Sequence, residues 1–335
     1  MKRLGILLMS LIILSVTAYL LYTKSKKNDK GVISADRDFT VKSMDEIHKL
    51  VIQHVKLQPL EFVRTGKTWL LNGKYEVDPA VFVNLEKALT GMTMLYIPPI
   101  ASSETIKKSI TTNGIKVTLY DDDNEVIKIF HVGTDTQKGD GTHMLLDGSA
   151  QPYVMQLPGL AGGLRSRFEQ PEKNFRDKYL YKETPEKIDY IKVQYPKSEQ
   201  ASFIVENKKS EIILSPLKSQ HAILDKAVNE RILKSYLMKF ERLGAEGLIN
   251  EYENKNDVLA LVPYCIIELK KTDGQIKKNV FYAYDDYVEK TLNSRGPEDM
   301  GKMNRLFVWS DDKDFYVVQT RVFGSIFIGY SDFYR

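Results

Sequence analysis

Residues 153–164 read YVMQLPGLAGGL, and the reading of this stretch decides the fold. YVMQ has the β-branched and aromatic content of a strand, and Pro158 ends it. Three glycines then fall within five positions, and apolar residues recur at helical spacing through Leu157, Leu160, Leu164 and Phe168. A strand, a glycine-rich turn and a helix start together make the layout of a phosphate cradle. A cradle needs backbone N–H groups at an open helix terminus, and its specific form adds a Lys-Ser/Thr pair that GLAGG lacks. The far half of the chain supplies the other reading. YVVQ at 316–319 echoes YVMQ, and VFGSIFIGY (322–330) repeats the helical spacing without the PGLAGG glycines. The stretch therefore reads as the wall of a repeated fold, with a helix expected to start at Pro158 and pack on its sheet through glycine.

Outward from these echoes the chain follows one plan twice. The first copy, 41–170, opens with LVIQHVKL (50–57) and EFVRTGKTWLLNG (61–73). Asp78-Pro79 then places an N-cap carboxylate before Pro at the first helical position, and Val81, Phe82, Leu85 and Leu89 give an apolar face. GIKVTLYDDDNEVIKIFHVG (114–133) reads as a hairpin on an acidic turn, and HMLLDGSAQPYVMQL (143–157) as a second on Asp147-Gly148. The second copy, 187–335, repeats the order: KIDYIKVQYP (187–196), ASFIVENKKSEIILS (201–215), and a helix at 220–243 carrying Leu224, Val228, Leu233, Leu237 and Phe240. Hairpins follow on Thr272-Asp273-Gly274 and on Asp311-Asp312. Residues 171–186 read as the linker. The expected fold class is α+β: two similar units of antiparallel β-hairpins, each packed with one main helix, preceded by one N-terminal transmembrane helix.

That transmembrane helix is LGILLMSLIILSVTAYLLY, residues 4–22, nineteen positions without a charge. At 1.5 Å per residue it spans about 28 Å, close to a hydrocarbon core. A retained signal anchor over 1–23 is the leading reading; a cleaved signal peptide, with Val16-Thr17-Ala18 at the cleavage site, is the other. No cysteine lies near residue 20, which argues against a lipoprotein anchor. Residues 24–40 are polar and read as a stalk. Either reading puts the body outside the cytoplasm, so the expectation is a single-pass protein of a bacterial inner membrane with residues 24–335 in the periplasm. The basic flanks of the apolar segment leave both orientations open by the charge rule alone.

Charge location supports the same picture. The 335 residues are 43% hydrophobic and 27% charged, with a net charge of +4. Lys2, Arg3, Lys24, Lys26, Lys27 and Lys30 against Asp29 leave residues 1–30 at +5, so the other 305 carry −1. No Lys/Arg stripe with interleaved aromatics runs through the body, which argues against nucleic-acid binding. The single cysteine, Cys265, sits in the apolar run LVPYCIIEL and reads as a buried, inert thiol.

Candidate chemistry is sparse. The five histidines are His48, His54, His131, His143 and His221. HVGTDTQKGDGTH (131–143) is the nearest to a constellation: His131 and His143 face each other if the strands pair, with Asp135 and Asp140 between them. The spacing matches no zinc or calcium loop, and the second copy has no histidine equivalents. Asp121-Asp122-Asp123 and Asp311-Asp312 fall at hairpin tips, where carboxylates are solvated; Asp285-Asp286 is a third acidic pair. No GxSxG, HExxH or dinucleotide fingerprint occurs. Trp69 and Trp309 lie on strands and read first as cross-strand packing. No catalytic residue and no cofactor is assigned.

WLLNGKYEVDPAVFVNLEKAL, the hairpin ending HVG, PYVMQLPG and NFRDKYLY (174–181) together resemble the bacterial domain-of-unknown-function 4340 family. The pattern falls on Trp69, Asp78, Leu85, Leu89, Gly133, Tyr153, Val154, Phe175, Arg176 and Asp177. The resemblance covers roughly residues 45–215. It implies a membrane-anchored, extracytoplasmic bacterial protein, often found near transporters called gliding-motility auxiliary ABC transporters, and it carries over no catalytic residues. Phe175-Arg176-Asp177 is its most distinctive piece. It is expected to tie down the linker through a charge-assisted bond or to contact a partner. The leading expectation is a non-enzymatic protein-interaction module whose partners are the lipid bilayer, through residues 4–22, and an envelope protein. A glycan- or small-ligand-binding domain is the second. An envelope hydrolase using His131, His143 and nearby Asp is the third.

Overall fold

Alternation of apolar and polar residues sets the strands. In Lys49–Gln53 (β1), Leu50 and Ile52 are buried while Gln53 faces solvent. The computed structural model describes residues 38–208, 211–218, 227–284 and 296–335. The expected transmembrane segment 4–22, the stalk up to residue 37, His221, Leu224 and Asp285-Asp286 lie outside the described residues. Among the described residues no helix is long and apolar enough to cross a membrane. The chain divides into two units, Met1–Asp177 and Lys178–Arg335.

The first unit adds β2 (Leu60–Thr65), β3 (Thr68–Leu71), β4 (Tyr75–Glu76), β5 (Thr93–Tyr96), β6 (Ile115–Tyr120), β7 (Val126–Asp135), β8 (Thr142–Leu146) and β9 (Tyr153–Gln156). They form one antiparallel sheet in the order β4-β3-β2-β1-β6-β7-β8-β9-β5. Helix α1 (Pro79–Gly91) starts as expected, with the Asp78 carboxylate accepting from the Ala80 N–H at 2.9 Å. It lays Phe82, Leu85 and Leu89 on the sheet, where Phe82 meets Phe62 and Trp69 with ring centroids 5.3 and 5.0 Å apart. Gln53 pairs with Lys116, and Lys116 with His131. The residues after β1, before β6 and at the end of β7 therefore share one end of the sheet. The β6–β7 and β8–β9 turns share the other end.

The second unit contains β11 (Ile188–Gln194), β12 (Phe203–Lys208), β13 (Glu211–Pro216), β15 (Gly247–Leu248), β16 (Cys265–Lys271), β17 (Ile276–Ala283), β18 (Arg305–Ser310) and β19 (Asp314–Gln319). Their order, β13-β12-β11-β16-β17-β18-β19-β15, is that of the first sheet without β4. A separate pair joins β10 (Tyr179–Tyr181) to β14 (Leu243–Gly244). Tyr195, just past β11, is fully buried and donates to the Ile328 carbonyl at 3.0 Å.

The structure departs from the sequence reading at the helices. The first unit has a second long helix, α2 (Ile100–Asn113), so it is not built on one main helix. Only Ile110 of α2 is buried, and IASSETIKKSITTN shows no apolar stripe to announce it. No helix begins at Pro158. Gly159 and Gly162 adopt φ of +81° and +106°, left-handed geometry that breaks a helix, and α3 spans only Arg165–Phe168. A further one-turn helix, α4 (Glu172–Phe175), follows, so residues up to Asp177 belong to the first unit. In the second unit α5 covers Glu230–Met238, shorter than 220–243, because the Asn229 side chain caps it by accepting from the Arg231 and Ile232 N–H groups. Short α6 (Lys255–Leu259) precedes β16. The 322–330 run forms α7 (Thr320–Phe323) and a 3₁₀ turn over Gly324–Ile326.

The glycine-rich turn is a packing device. A Cβ on Gly163 would lie 1.9 Å from Asp135 Oδ1. Thr142 Oγ1 donates to that same oxygen at 2.5 Å and accepts from the Leu164 N–H at 2.6 Å. The turn thus faces a carboxylate, and the Leu164 amide is already used, which removes the phosphate reading.

Candidate binding cleft

At the sheet end where β1 stops and β6 begins, the first unit opens a cleft of about 350 Å³ between residues 54–57 and α3. Arg165 organises its wall. Nε and Nη2 donate to the two carboxylate oxygens of Glu169, both at 2.8 Å. Nη1 donates to the Gly133 carbonyl at 2.9 Å and Nη2 to the Asn113 carbonyl at 3.1 Å. One guanidinium therefore ties α3 to the end of α2 and to β7, using the planar fork that lysine lacks. The bond from Arg165 holds the Glu169 carboxyl below its ordinary range. Glu169 is ionised near neutral pH and is no proton donor there.

His54 faces this pair. Both ring nitrogens are shielded from solvent and have no hydrogen-bond partner among the described residues. Burial pushes its pKa down, with Arg165 adding to the effect and Glu169 opposing it. Val55 is 62% exposed at the mouth, beside exposed Lys56 and Leu57. The arrangement offers an apolar rim, a lysine, a neutral imidazole and a fixed ion pair: groups that recognise a polar or charged side chain flanked by apolar ones.

The residues singled out in the sequence lie elsewhere. His131 and His143 share a face of the sheet, but in offset registers, opposite Leu145 and Val154. Each has its own neighbour: His131 Nε2 lies 3.6 Å from Asp147, and His143 Nδ1 lies 3.0 Å from the Thr134 carbonyl. Asp140 accepts from Thr136 Oγ1 at 2.5 Å inside its own turn. Among the described residues no three His, Cys, Asp or Glu side chains are grouped to hold a metal. The acidic tips serve their turns: Asp121 accepts from the Glu125 N–H, Asp311 from the Lys278 N–H and Asp312 from Trp309 Nε1.

Trp69 is buried, with the Arg64 guanidinium 4.7 Å from its ring centroid. Phe175 packs edge-on to Phe62 at 5.0 Å, and its carbonyl accepts from the Asp78 N–H. Arg176 lies over the Tyr75 ring at 3.7 Å, and the Asp177 N–H donates to the Glu76 carbonyl. All three hold the segment after α4 against β4 and the start of α1. Cys265 is buried, and burial pushes its thiol pKa up. His54 was visible in the sequence only as one of five histidines. Lys56, Arg165 and Glu169 gave no signal beyond the i,i+4 spacing of the last two.

Two antiparallel sheets of matching strand order, one carrying a polar cleft at its end, define an α+β fold built from a repeated unit. Residues 57–260 match the family described as Domain of unknown function (DUF4340), and the chain belongs to that family. No curated protein and no solved structure matches it.

Proposed function

We propose that this chain is a non-enzymatic protein-interaction module, held to a bacterial inner membrane by residues 4–22 with its body in the periplasm. Its partner in this reading is an envelope protein, and an ABC-type transporter complex is the setting the family resemblance suggests. The observation that supports binding over catalysis is the Arg165–Glu169–His54 cleft. Its carboxylate is locked in an ion pair, its imidazole is shielded from solvent and without a hydrogen-bond partner among the described residues, and its rim presents Val55, Lys56 and Leu57 to solvent. Such a rim matches the apolar centre and charged edge of a docking site. The test is in-cell crosslinking of the full chain carrying a C-terminal tag, followed by mass spectrometry of what co-purifies. The wild type is expected to enrich a transporter permease or another envelope subunit. Val55→Asp combined with Lys56→Glu, both at exposed positions, is expected to lose it. A partnerless wild type, or a variant that enriches the same subunit equally well, overturns the reading.

A further inference from the structure

The first sheet's other end carries an exposed surface that the cleft does not use. Residues 92–103 read MTMLYIPPIASS, without a charged residue. The run begins at Met92, passes through β5, the outermost strand on its side of the sheet, and ends in the first turn of α2. Tyr96 at the end of β5 is 40% exposed, Ile97 just beyond it 48% and Ile100 at the start of α2 92%. Three large apolar side chains on one short loop, stiffened by Pro98-Pro99, form a patch that core packing does not explain.

The start of the described chain lies at the same end of the sheet as this patch. Lys128 holds the Asp38 carboxylate at 3.3 Å near the β6–β7 turn. Phe39 packs edge-on to Phe130 and to Tyr153, with centroids 6.1 and 6.0 Å apart. Tyr153 precedes Val154, the ladder partner of Tyr96. Because β5 runs antiparallel to β9, residues 97–100 head toward the same sheet end as Asp38. Residues 23–37 are all that separates Asp38 from the apolar segment 4–22, and fully extended they span at most about 50 Å.

We propose that Tyr96–Ile100 is a second membrane contact, a loop that sets Ile97 and Ile100 into the headgroup–acyl boundary of the bilayer holding residues 4–22, with Tyr96 at the interface. This rests on the anchoring part of the reading above. The chemistry is that of interfacial insertion: apolar side chains beyond a tyrosine belt, with no lysine or arginine in the run. Asp121, Asp122, Asp123, Glu125 and Asp147 lie at the turns of the same sheet end. They disfavour an anionic surface, so the contact is apolar, insensitive to salt and formed on neutral lipid.

The experiment uses the full chain in phosphatidylcholine vesicles. The native thiol, Cys265, is fully buried, so an environment-sensitive fluorophore goes to an introduced cysteine. Ile97→Cys and Ile100→Cys report on the loop, and Val55→Cys reports on the cleft end. Vesicle flotation reads anchoring independently. The expected result is a chain that floats, with labels at 97 and 100 quenched several-fold more by nitroxide-bearing lipid than the label at 55, at low and high salt alike. A floating chain whose labels at 97 and 100 are quenched no more than that at 55 overturns the loop contact and leaves the anchor standing. Labels that shift to the blue without lipid quenching mean that protein covers the patch, a second copy included, and this also overturns it. A chain that does not float overturns the anchor and the loop contact together.

Discussion

At Gly163 the backbone passes so close to Asp135 that an added methyl group displaces the carboxylate from Thr142 Oγ1. The cost of Gly163→Ala is then about that of one hydrogen bond, roughly 1 kcal/mol, plus any strain the shift leaves. In an Asp135→Ala background the same substitution is expected to cost close to nothing. Thermal unfolding of the two single variants and the double checks the coupling. Asp78 gives a second residue-scale test. Its carboxylate caps α1 through the Ala80 N–H, so Asp78→Ala is expected to lose about 1 kcal/mol while Asp78→Ser recovers most of it. The Asp78 cap was readable from Asp-Pro alone because capping is a local matter. The Gly163 contact was not: Asp135 enters it from another strand, and glycine spacing by itself suited a phosphate turn as well as a packing turn.

Among the elements, α3 shows how a single turn persists. Four residues cannot hold a helix by themselves. Phe168, fully buried and edge-on to Phe130 at 5.9 Å, anchors its core side. The Arg165 fork anchors its cleft side. Phe168→Ala is expected to cost about 3–4 kcal/mol, more than Arg165→Ala, because a buried ring leaves a cavity whereas a partly exposed guanidinium is replaced by water. Chemical denaturation of the two variants ranks them; the reverse order would mean that the fork, not the ring, fixes the turn. The strands were legible because buried and exposed residues alternate along them and their hairpins close on Asp-Gly and acidic turns. Helix α2 was not, since Ile110 is its only fully buried residue and its polar, β-branched sequence argues locally for a loop. The cleft was equally silent, because it is made where the end of β1 meets a turn far along the chain.

For the whole molecule, pH links the cleft to stability. His54 has a folded pKa below its ordinary 6.5, so the unfolded chain takes up the proton first. Its contribution is fully present above about pH 6.5 and falls away as the pH drops below that value. Glu169, whose folded pKa is depressed, contributes above its ordinary 4.5 and loses that contribution as the pH falls through its folded value. Two windows are therefore expected in a plot of unfolding temperature against pH, and His54→Gln should flatten the upper one while weakening the lower one only slightly, because Arg165 is the main group that holds Glu169 ionised. An unchanged upper window in that variant would show that the imidazole is hydrated in the folded protein. The repeat was legible at this scale because YVMQ and YVVQ mark the same position in two sheets of matching order.

That correspondence extends to what the two copies do with one position. Gln53 and Gln194 end equivalent strands, so Tyr195 stands where the first copy has His54. The tyrosine fills its site and spends its hydroxyl on the Ile328 carbonyl, whereas among the described residues the histidine's two nitrogens have no partner beside an open mouth. The chain thus carries two versions of one scaffold, closed at this corner in one sheet and open in the other. The sealed copy carries its share of stability in that corner without an open polar site. If the open copy docks a partner as proposed, substitutions at its mouth are expected to change binding with little loss of fold, because the residues there are exposed.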